Sequence, residues 1–454
     1  MKKKIIVMGA AGNIGMYFID YLMNNLDLEK YEIVATGTKK EYPYDFYKGA
    51  YYQVNITNKN DFDKLPTDNV YAVVDFAGVL PAYASGITDD DYIDVNIKGT
   101  LNILNYCKKN NVDRIIYTQT WADLNGYLKE GLPLKPYLPR KIIMTGDHAV
   151  YAITKSAAVD LIEHYHQEFG IKNFIFRLPN IYLYSPDIYY YVNGVKTKIS
   201  YRYIIDKAMK GEDIELWGNP NFGKDIIYVK DLCQMIFKSL FTNKETGIYN
   251  AGTGVKTTMQ EQIEGIIKVF SPKDNPSKII YCPEKKDCDN FVMDIENIKE
   301  DLGYVPEYDY IAYLEDYKKE IKDLDKQLDR IKTAYIKGVV KLEDFDKEIK
   351  HIEYQKSDLE KRQKEQKQYE NLSFTLNDLL IIQDMQEIEF YTNPDVLNNW
   401  SNKSKEDKQK IIGKYIDNIT IEKKNNKFEI TNIEFRKNYL EDMIYNHYKF
   451  NTPC

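Results

Sequence analysis

The sequence predicts an α/β fold in which a doubly wound parallel sheet forms the N-terminal part of the chain. Three observations support this prediction: strand-like apolar runs alternate with helical patterns, a glycine-rich turn joins the first strand to the first helix, and 454 residues allow a sizeable core. The predicted strands are Lys4–Met8, Glu32–Thr36, Val70–Phe76, Arg114–Thr118 and Phe174–Leu178, and the predicted helices are Tyr17–Asn25, Tyr92–Lys109 and Tyr151–Phe169.

The pattern changes twice further along the chain. From about residue 185 it loosens into mixed segments, and from residue 316 to residue 369 the chain is dense in charged residues, with almost no Gly or Pro. We therefore expect a sheet domain with a small α/β subdomain, between which segments are exchanged, then a helical hairpin and a small α+β tail. The expected limits are 1–180 for the dinucleotide-binding domain, 181–318 for the substrate-binding subdomain, 319–371 for the hairpin and 372–454 for the tail.

The charged segment has the apolar spacing of an antiparallel coiled coil. Apolar residues recur every three or four positions from Ile321 to Tyr335 and again from Leu342 to Leu359, with Gly338 between the two stripes. In the tail, a helix is predicted around residues 405–416. Two strands that flank Asn425 and Asn426 are predicted to form a hairpin.

Composition and charge exclude several classes of protein. The formal net charge is −7, which argues against general nucleic-acid binding. The five cysteines form no CxxC pair and fit a reducing cytoplasm, and no metal site is predicted. The apolar run Ile5–Met8 is too short for a signal peptide, and no run approaches the about 20 residues that span a bilayer. We therefore expect a cytoplasmic protein without a membrane partner.

The first turn has the spacing of a dinucleotide-binding loop. Gly9, Gly12 and Gly15 follow a predicted strand and, with Asn13 and Ile14, open a helix. Glycines are needed where the chain turns tightly and a pyrophosphate approaches the backbone at a helix N-terminus. The pattern predicts binding of NAD or NADP at this turn.

The end of the second strand bears on the choice between the two cofactors. Gly37 stands where such proteins often carry an acid for the ribose 2′-hydroxyl, and Lys39 follows. NADP is therefore favoured slightly over NAD, with a merely solvated lysine loop as the alternative.

A second pattern, Tyr151-Ala152-Ile153-Thr154-Lys155, predicts the chemistry. Residues four apart share a helix face, so that the phenol of Tyr151 and the ammonium of Lys155 are neighbours. A free tyrosine is only about one part in a thousand ionised at neutral pH, and lowering its pKa by roughly three units requires about 4 kcal/mol. A nearby ammonium supplies much of this, so that Tyr151 is able to accept a hydroxyl proton while hydride leaves the same carbon. Thr120, after the strand Arg114–Thr118, is the candidate second hydroxyl.

Residues 1–318 resemble the extended short-chain dehydrogenase/reductases, specifically the NAD-dependent epimerase/dehydratase group that acts on nucleotide sugars through a Rossmann-like domain. The matching segments are Gly9–Gly15, Asp75–Gly78, Asn96–Thr100, Thr118–Thr120, Tyr151–Lys155, Arg177–Asn180, Lys224–Asp231 and Tyr249–Gly254.

This resemblance implies roles for individual residues. Thr120, Tyr151 and Lys155 would be catalytic, with Lys155 also touching the nicotinamide ribose. Further residues are assigned by the resemblance to cofactor or substrate binding, in a protein that is expected to form a homodimer. The cofactor residues are Gly9, Gly12, Asn13, Ile14, Gly15, Lys39, Asn55, Ala77, Gly78, Asn96, Tyr151 and Lys155, and the substrate residues are Asn180 and Lys224.

Four positions depart from the pattern of the group. Asn55 replaces the usual aspartate near the adenine, and Lys224 replaces an arginine that reaches the nucleotide diphosphate; a lysine offers charge there but no bidentate fork. Trp121 and Ala122 follow Thr120 where the 4,6-dehydratases carry an acidic pair. Dehydration is therefore disfavoured, whereas epimerisation and carbonyl reduction remain open.

Residues 321–454 resemble the C-terminal part of large serine recombinases. The matching segments are Ala334–Phe345, Lys405–Ile412 and Tyr415–Ile421. No catalytic-serine domain and no cysteine-rich DNA-contacting segment precede them, so that strand exchange is not expected and a gene fusion is inferred. Two functions follow: an NAD(P)-dependent epimerase or reductase of a nucleotide-linked sugar, or a chimeric interaction protein whose coiled coil mediates association.

Overall fold

The computed structural model describes residues 1–321, except 82–85, 129–132, 147, 185–188 and 193–194, together with two strands near the C-terminus. The strands in chain order are β1 (Lys3–Met8), β2 (Tyr31–Gly37), β3 (Ala50–Gln53), β4 (Val70–Asp75), β5 (Arg114–Thr120), β6 (Lys172–Leu178), β7 (Ile181–Tyr182), β8 (Tyr189–Val192), β9 (Val195–Lys198), β10 (Ile214–Trp217), β11 (Gly223–Asp225), β12 (Ile227–Tyr228), β13 (Thr246–Asn250), β14 (Lys256–Thr258), β15 (Ile279–Cys282), β16 (Ile416–Lys424) and β17 (Lys427–Phe435).

Helices connect these strands. They are α1 (Asn13–Asn25), α2 (Asp89–Tyr92), α3 (Thr100–Lys109), α4 (Ala149–Phe169), α5 (Ser200–Met209), α6 (Val229–Phe241), α7 (Met259–Phe270), α8 (Glu296–Leu302) and α9 (310–321), with a π-helical segment Ile93–Gly99 and 3₁₀ segments Lys59–Lys64 and Trp121–Tyr127. Among the residues described, no helix is long and apolar enough to cross a membrane.

A seven-stranded sheet forms the centre of the N-terminal unit. Its order is β13-β6-β5-β4-β1-β2-β3, and every neighbouring pair is parallel. Ile5, Ile6, Val7 and Met8 of β1 are fully buried, as expected for a central strand that is covered on both faces. The predicted doubly wound parallel sheet is therefore confirmed.

Helices cover the two faces of this sheet in separate apolar layers. Phe18 and Leu22 of α1 pack with Met235 of α6 on one face. On the other face, Leu104 of α3 and Ile162 of α4 belong to a second apolar cluster with β1, β4 and β5. Because α4 lies against the middle of the sheet, its first turns are held next to the carboxyl ends of β4 and β5.

The chain returns to the sheet after residue 181. Strand β13 pairs with β6 in the central sheet. The exchange of segments between residues 181–318 and the first domain stays a prediction. Helix α9 runs through the expected limit at residue 318. It is fixed to the N-terminal unit because Glu320 accepts hydrogen bonds from Tyr17 (2.7 Å) and Tyr228 (3.2 Å). The limits of the predicted domains stay predictions.

Residues 1–359 and 360–454 form two compact units. In the second unit, β16 and β17 form an antiparallel pair around residues 425 and 426, where the sequence predicts a hairpin. The predicted coiled coil lies outside the described residues, apart from its first three positions in α9. The remainder of the recombinase-like tail also lies outside them.

A buried ion pair joins the carboxyl ends of three strands. Arg177 of β6 donates two hydrogen bonds to Asp123 (2.8 and 3.0 Å), which lies just after β5. The same guanidinium donates to the carbonyl oxygen of Pro136 and to Asn250 of β13. Both charged side chains are at least 95% buried. Because the Arg177 guanidinium binds groups on or next to all three strands, this cluster fixes the relative positions of β5, β6 and β13.

We predict that Arg177→Met lowers the free energy of unfolding by about 3–5 kcal/mol, because the Asp123 carboxylate is left buried without its partner. The matched control is Arg140→Met. Arg140 also binds an aspartate through two hydrogen bonds, but its partner Asp160 is 67% exposed. This control is expected to cost at most about 1 kcal/mol. Urea unfolding curves measure both, and equal losses would contradict the role given to Arg177.

Candidate active site

The glycine turn between β1 and α1 is shaped by close backbone contacts. Gly9 has φ of +71°, and a Cβ placed on it would lie 2.9 Å from the backbone nitrogen of Ala77. A Cβ on Gly15 would lie 2.3 Å from the carbonyl oxygen of Gly9. Side chains at these two positions are therefore excluded, and the turn passes directly against the segment that follows β4.

The N-terminus of α1 fits a phosphate group. Gly12 occupies the N-cap position and provides no side chain to cap the N–H groups of the first turn. Helix N-termini of this kind bind anions through their N–H groups and the helix dipole. The residues around Gly9, Gly12 and Gly15 therefore fit the pyrophosphate of a dinucleotide.

The turn after β2 is held by β3. Tyr51 donates a hydrogen bond to the carbonyl oxygen of Lys39 (2.8 Å), and Gln53 donates to that of Thr38 (3.0 Å). The Lys39 side chain itself is exposed. Asn55 lies after β3, where its side-chain oxygen accepts two hydrogen bonds from Thr57. These contacts explain the local fold of both predicted cofactor positions, but they do not test a cofactor role.

Tyr151 and Lys155 lie one turn apart in the first half of α4, as the sequence predicts. Both side chains are nearly buried, with 8% and 4% exposed. The ring of Tyr92 lies 6.2 Å from the ring of Tyr151, and the Lys155 Nζ lies 4.0 Å from the centroid of the Tyr117 ring. The two side chains therefore lie in a buried environment and not on the protein surface.

Burial changes the protonation behaviour of Lys155. Desolvation disfavours the charged amine and lowers the pKa of Lys155 to about 8, although the carboxylate of Asp75 opposes this shift. Asp75 is fully buried at the end of β4. Its burial raises the pKa of the Asp75 carboxyl to about 6, with Lys155 acting in the opposite direction. A buried amine of this kind is typical of functional sites.

Asn96 connects α4 to the segment after β4. Its side chain accepts a hydrogen bond from the backbone of Val79 (3.0 Å) and donates one to Thr154 (3.2 Å). A Cβ on Gly78 would lie 3.3 Å from the Asn96 Oδ1 and 3.9 Å from the Lys155 Nζ. Gly78 therefore adjoins both Asn96 and Lys155, although it precedes the lysine by 77 positions in the sequence.

Thr120 is the last residue of β5 and is 5% exposed. Its Oγ1 accepts a hydrogen bond from the backbone of Ala122 (3.2 Å), so that the hydroxyl hydrogen is not used in that bond. The neighbouring Gln119 donates to Ser156 of α4 (3.3 Å). The end of β5 is therefore tied to the helix that carries Tyr151 and Lys155.

The predicted substrate residues lie further along the chain. Asn180 is exposed after β6. Lys224 of β11 lies 5.8 Å from the centroid of the Tyr182 ring. Burial acts against the charge of Lys224, but Tyr182 and Asp289 outweigh it and raise the pKa of Lys224. Lys224 therefore stays protonated at neutral pH and is able to attract an anion.

Two groups of the site were missed in the sequence analysis. Asp75 was included only in a matching segment, without a role, and Tyr117 was not considered. The available signal was a polar residue at the end of Val70–Asp75, an otherwise apolar central strand. Its position opposite Tyr117 depends on the register of β4 and β5, which one sequence does not contain.

We predict that Gly9→Ala destabilises the fold more than Gly170→Ala. Both glycines have φ of +71°, so that each substitution carries the left-handed backbone cost of about 1–2 kcal/mol. A Cβ at Gly170 meets nothing within 4 Å, whereas one at Gly9 meets the Ala77 backbone. Urea unfolding measures the two losses. Equal values for the two variants would show that the turn relaxes freely and is not a tight cradle.

The sequence is similar to those of known proteins. A "Putative UDP-glucose 4-epimerase" of Methanocaldococcus jannaschii is 27% identical over 67% of this chain and 94% of its own length. A UDP-glucuronate 4-epimerase of Thermodesulfobacterium geofontis is 24% identical over 73% of this chain and 99% of its own.

The fold is also shared with a solved structure. UDP-glucose 4-epimerase of Thermotoga maritima, crystallised with UDP-glucose, superposes with a TM-score of 0.57 at 20% identity, over 70% of this chain and 99% of the other. The model of the NAD dependent epimerase/dehydratase family matches residues 5–252, more than half of the chain. The chain therefore belongs to the NAD dependent epimerase/dehydratase family.

Proposed function

We propose that this protein is an NAD(P)-dependent epimerase or reductase of a nucleotide-linked sugar and that Tyr151 assists hydride transfer. Membership of the family and relatives named for 4-epimerisation of UDP-sugars support a nucleotide-sugar substrate. The observation that carries the proposal is the burial of Lys155 one helical turn after Tyr151, next to Gly78 in the turn after β4, which in turn packs against the glycine turn after β1.

The residues of the chain divide the chemistry between them. Tyr151 accepts the proton of a sugar hydroxyl, and the Lys155 ammonium favours the phenolate that this step requires. Thr120 donates a hydrogen bond to the reacting sugar oxygen and orients it. A bound nicotinamide dinucleotide supplies the hydride acceptor. The sugar is left as a ketone, and return of the hydride to its opposite face inverts the centre, whereas release of the ketone makes the protein a dehydrogenase.

Elimination of water is disfavoured by the residues that follow Thr120. Trp121 and Ala122 carry no acid, and Trp121 stacks on Phe291 with ring centroids 5.1 Å apart. The nearest following acid, Asp123, is bound by Arg177 through two hydrogen bonds. A carboxylate held in this way is poorly suited to transfer protons during dehydration.

Several residues would hold the cofactor. In this proposal Gly9, Gly12, Asn13, Ile14 and Gly15 bind the pyrophosphate, and Ala77, Gly78, Asn96, Tyr151 and Lys155 surround the nicotinamide half. Asn55 lies near the adenine. Gly37 stands where such proteins often carry an acid, and the positive charge of the nearby Lys39 favours a 2′-phosphate. The proposed cofactor is therefore NADP slightly over NAD.

The substrate would bind through residues after β6. Lys224 attracts the diphosphate of the nucleotide sugar as a point charge, since a lysine lacks the bidentate fork of arginine. Asn180 lines the sugar end of the site in this proposal. A homodimer is the proposed assembly, as is common in this enzyme group.

We predict that Tyr151→Phe lowers kcat by at least about 10²-fold, because general acid–base catalysis contributes about 10²–10⁴. Conversion of UDP-glucose and UDP-glucuronate, measured by chromatography, provides the rates. Tyr137→Phe is the matched control, since Tyr137 is 72% exposed, and it is expected to retain the wild-type rate. Turnover by Tyr151→Phe at the wild-type rate would refute the proposed chemistry.

A further inference from the structure

Asp75 and Tyr117 are direct neighbours on the two central strands of the sheet. Asp75 of β4 is in register with Tyr117 of β5, and both side chains are fully buried. Two residues earlier on each strand, Val73 and Ile115 pack in the same apolar cluster as α3 and α4. Since side chains two residues apart point to the same face, Asp75 and Tyr117 also face α4.

Lys155 reaches this pair from α4. Its Nζ lies 4.0 Å from the centroid of the Tyr117 ring and 3.9 Å from the position of a Cβ on Gly78. The ammonium is thus enclosed between an aromatic ring and a turn without a side chain. An aromatic face stabilises a cation electrostatically, but by less than the hydration that the cation loses on burial. The Tyr117 ring alone therefore does not compensate for the burial of the ammonium.

Two titratable groups face the ammonium directly: Asp75 on β4, which acts on it electrostatically, and Tyr117 on β5, whose ring lies beneath it. Three more groups lie next to these or to Tyr151: Cys107 on α3 acts on Asp75, Tyr151 on α4 acts on Tyr117, and the Tyr92 ring on α2 lies beside Tyr151. Burial raises the pKa of both Cys107 and Tyr117, so that these two groups are neutral at pH 7. Asp75 is the one carboxylate among these five groups, and it is therefore the group that is able to provide a negative charge to the ammonium.

The two carboxylate oxygens of Asp75 have different surroundings. Oδ1 accepts a hydrogen bond from the backbone nitrogen of Ala77 (2.9 Å) and so holds the turn that follows β4. Oδ2 is buried and has no hydrogen-bond partner in the described chain. Buried polar atoms in folded proteins are nearly always satisfied, so that an exception at this place calls for an explanation. The hydrogen bond from Ala77 requires only an acceptor at Oδ1, which an uncharged side chain could also provide. It therefore does not explain why the residue is an aspartate.

We propose that Asp75 is a positioning residue whose buried carboxylate is the counter-charge of Lys155 and keeps the ammonium protonated behind Tyr151. The placement of the two charges around Tyr117 follows from the fold, whereas the effect of Asp75 on turnover rests on the proposed function. In this arrangement Lys155 favours the Tyr151 phenolate, and Asp75 offsets the desolvation of Lys155. No covalent step is involved.

The pH range of the pair follows from the two shifts. The Asp75 carboxyl, with a pKa of about 6, is ionised above pH 6, and the Lys155 amine, with a pKa of about 8, is protonated below pH 8. Both groups are therefore charged between these values. Removing the negative charge leaves the desolvation of Lys155 unopposed, so that the amine loses its proton at a lower pH.

The test is a titration of Lys155 in wild-type and Asp75→Asn protein by NMR, with lysine labelled with ¹³C at Cε. Asparagine keeps the acceptor for Ala77 and nearly the same shape, and it removes only the charge. Lys155→Arg identifies the resonance. We expect a wild-type midpoint near pH 8 and a midpoint at least one pH unit lower in Asp75→Asn, a tenfold loss of proton affinity. A midpoint that moves by less than 0.3 unit would overturn the proposal.

Tyr117→Phe is the matched control. It removes the buried hydroxyl of Tyr117 but keeps the ring beneath the ammonium. The Lys155 midpoint in Tyr117→Phe should equal that of the wild type. A shift as large as that in Asp75→Asn would show that local packing, and not the carboxylate, sets the midpoint, and would overturn the proposal. Circular dichroism before each titration ensures that folded protein is compared.

Turnover gives a second readout. In Asp75→Asn, the alkaline limb of the pH–rate profile for UDP-glucose or UDP-glucuronate should move to lower pH together with the NMR midpoint. A uniform loss of rate with an unmoved limb would contradict the positioning role. If neither sugar is converted by the wild type, the proposed function fails, whereas the NMR titration still decides whether the ion pair exists.

Discussion

The burial of the Lys155 ammonium is the constraint on which the rest of the site depends. Transfer of an isolated charge from water to a protein interior costs several kcal/mol even after relaxation. The surrounding chain reduces this cost with one carboxylate, one aromatic face and a turn that lacks a side chain. The lysine is held in this place because Asn96 and Gln119 tie α4 to the segment after β4 and to β5.

Two buried pairs of opposite charges at the same edge of the sheet differ in construction, and only the first forms a direct salt bridge in the described residues. Arg177 and Asp123 share two hydrogen bonds, and further acceptors bind the guanidinium, which suits a structural role. Asp75 keeps one oxygen without a hydrogen-bond partner in the described residues, and its charge is opposed electrostatically by Lys155, which lies over the ring of the neighbouring Tyr117. The saturated pair fixes the strands, whereas the unsaturated pair leaves both members able to titrate near neutral pH.

Much of this fold could be predicted from sequence because its signals are local. Apolar runs gave β1, β2, β4, β5 and β6, and residue spacing placed Tyr151 and Lys155 on one face of α4. Strands β3 and β13 were not predicted, since β3 is a half-buried edge strand and β13 joins the sheet from a distant part of the chain. Asp75 could not be paired with Lys155 for the same reason, because cross-strand register and helix placement are properties of the folded chain. The recombinase-like assignment of the tail stays a prediction.

The central claim is that a sugar carbon gives up hydride at the edge of the sheet where Tyr151 and Lys155 lie. The most direct measurement uses UDP-glucose and UDP-glucuronate deuterated at C4, incubated with the purified protein in ordinary water and followed by NMR and mass spectrometry. The account predicts that the deuterium leaves the sugar only with the dinucleotide and is found on its nicotinamide ring or again on C4 of the product. Loss of the label to water during turnover would contradict hydride transfer and the account built on it.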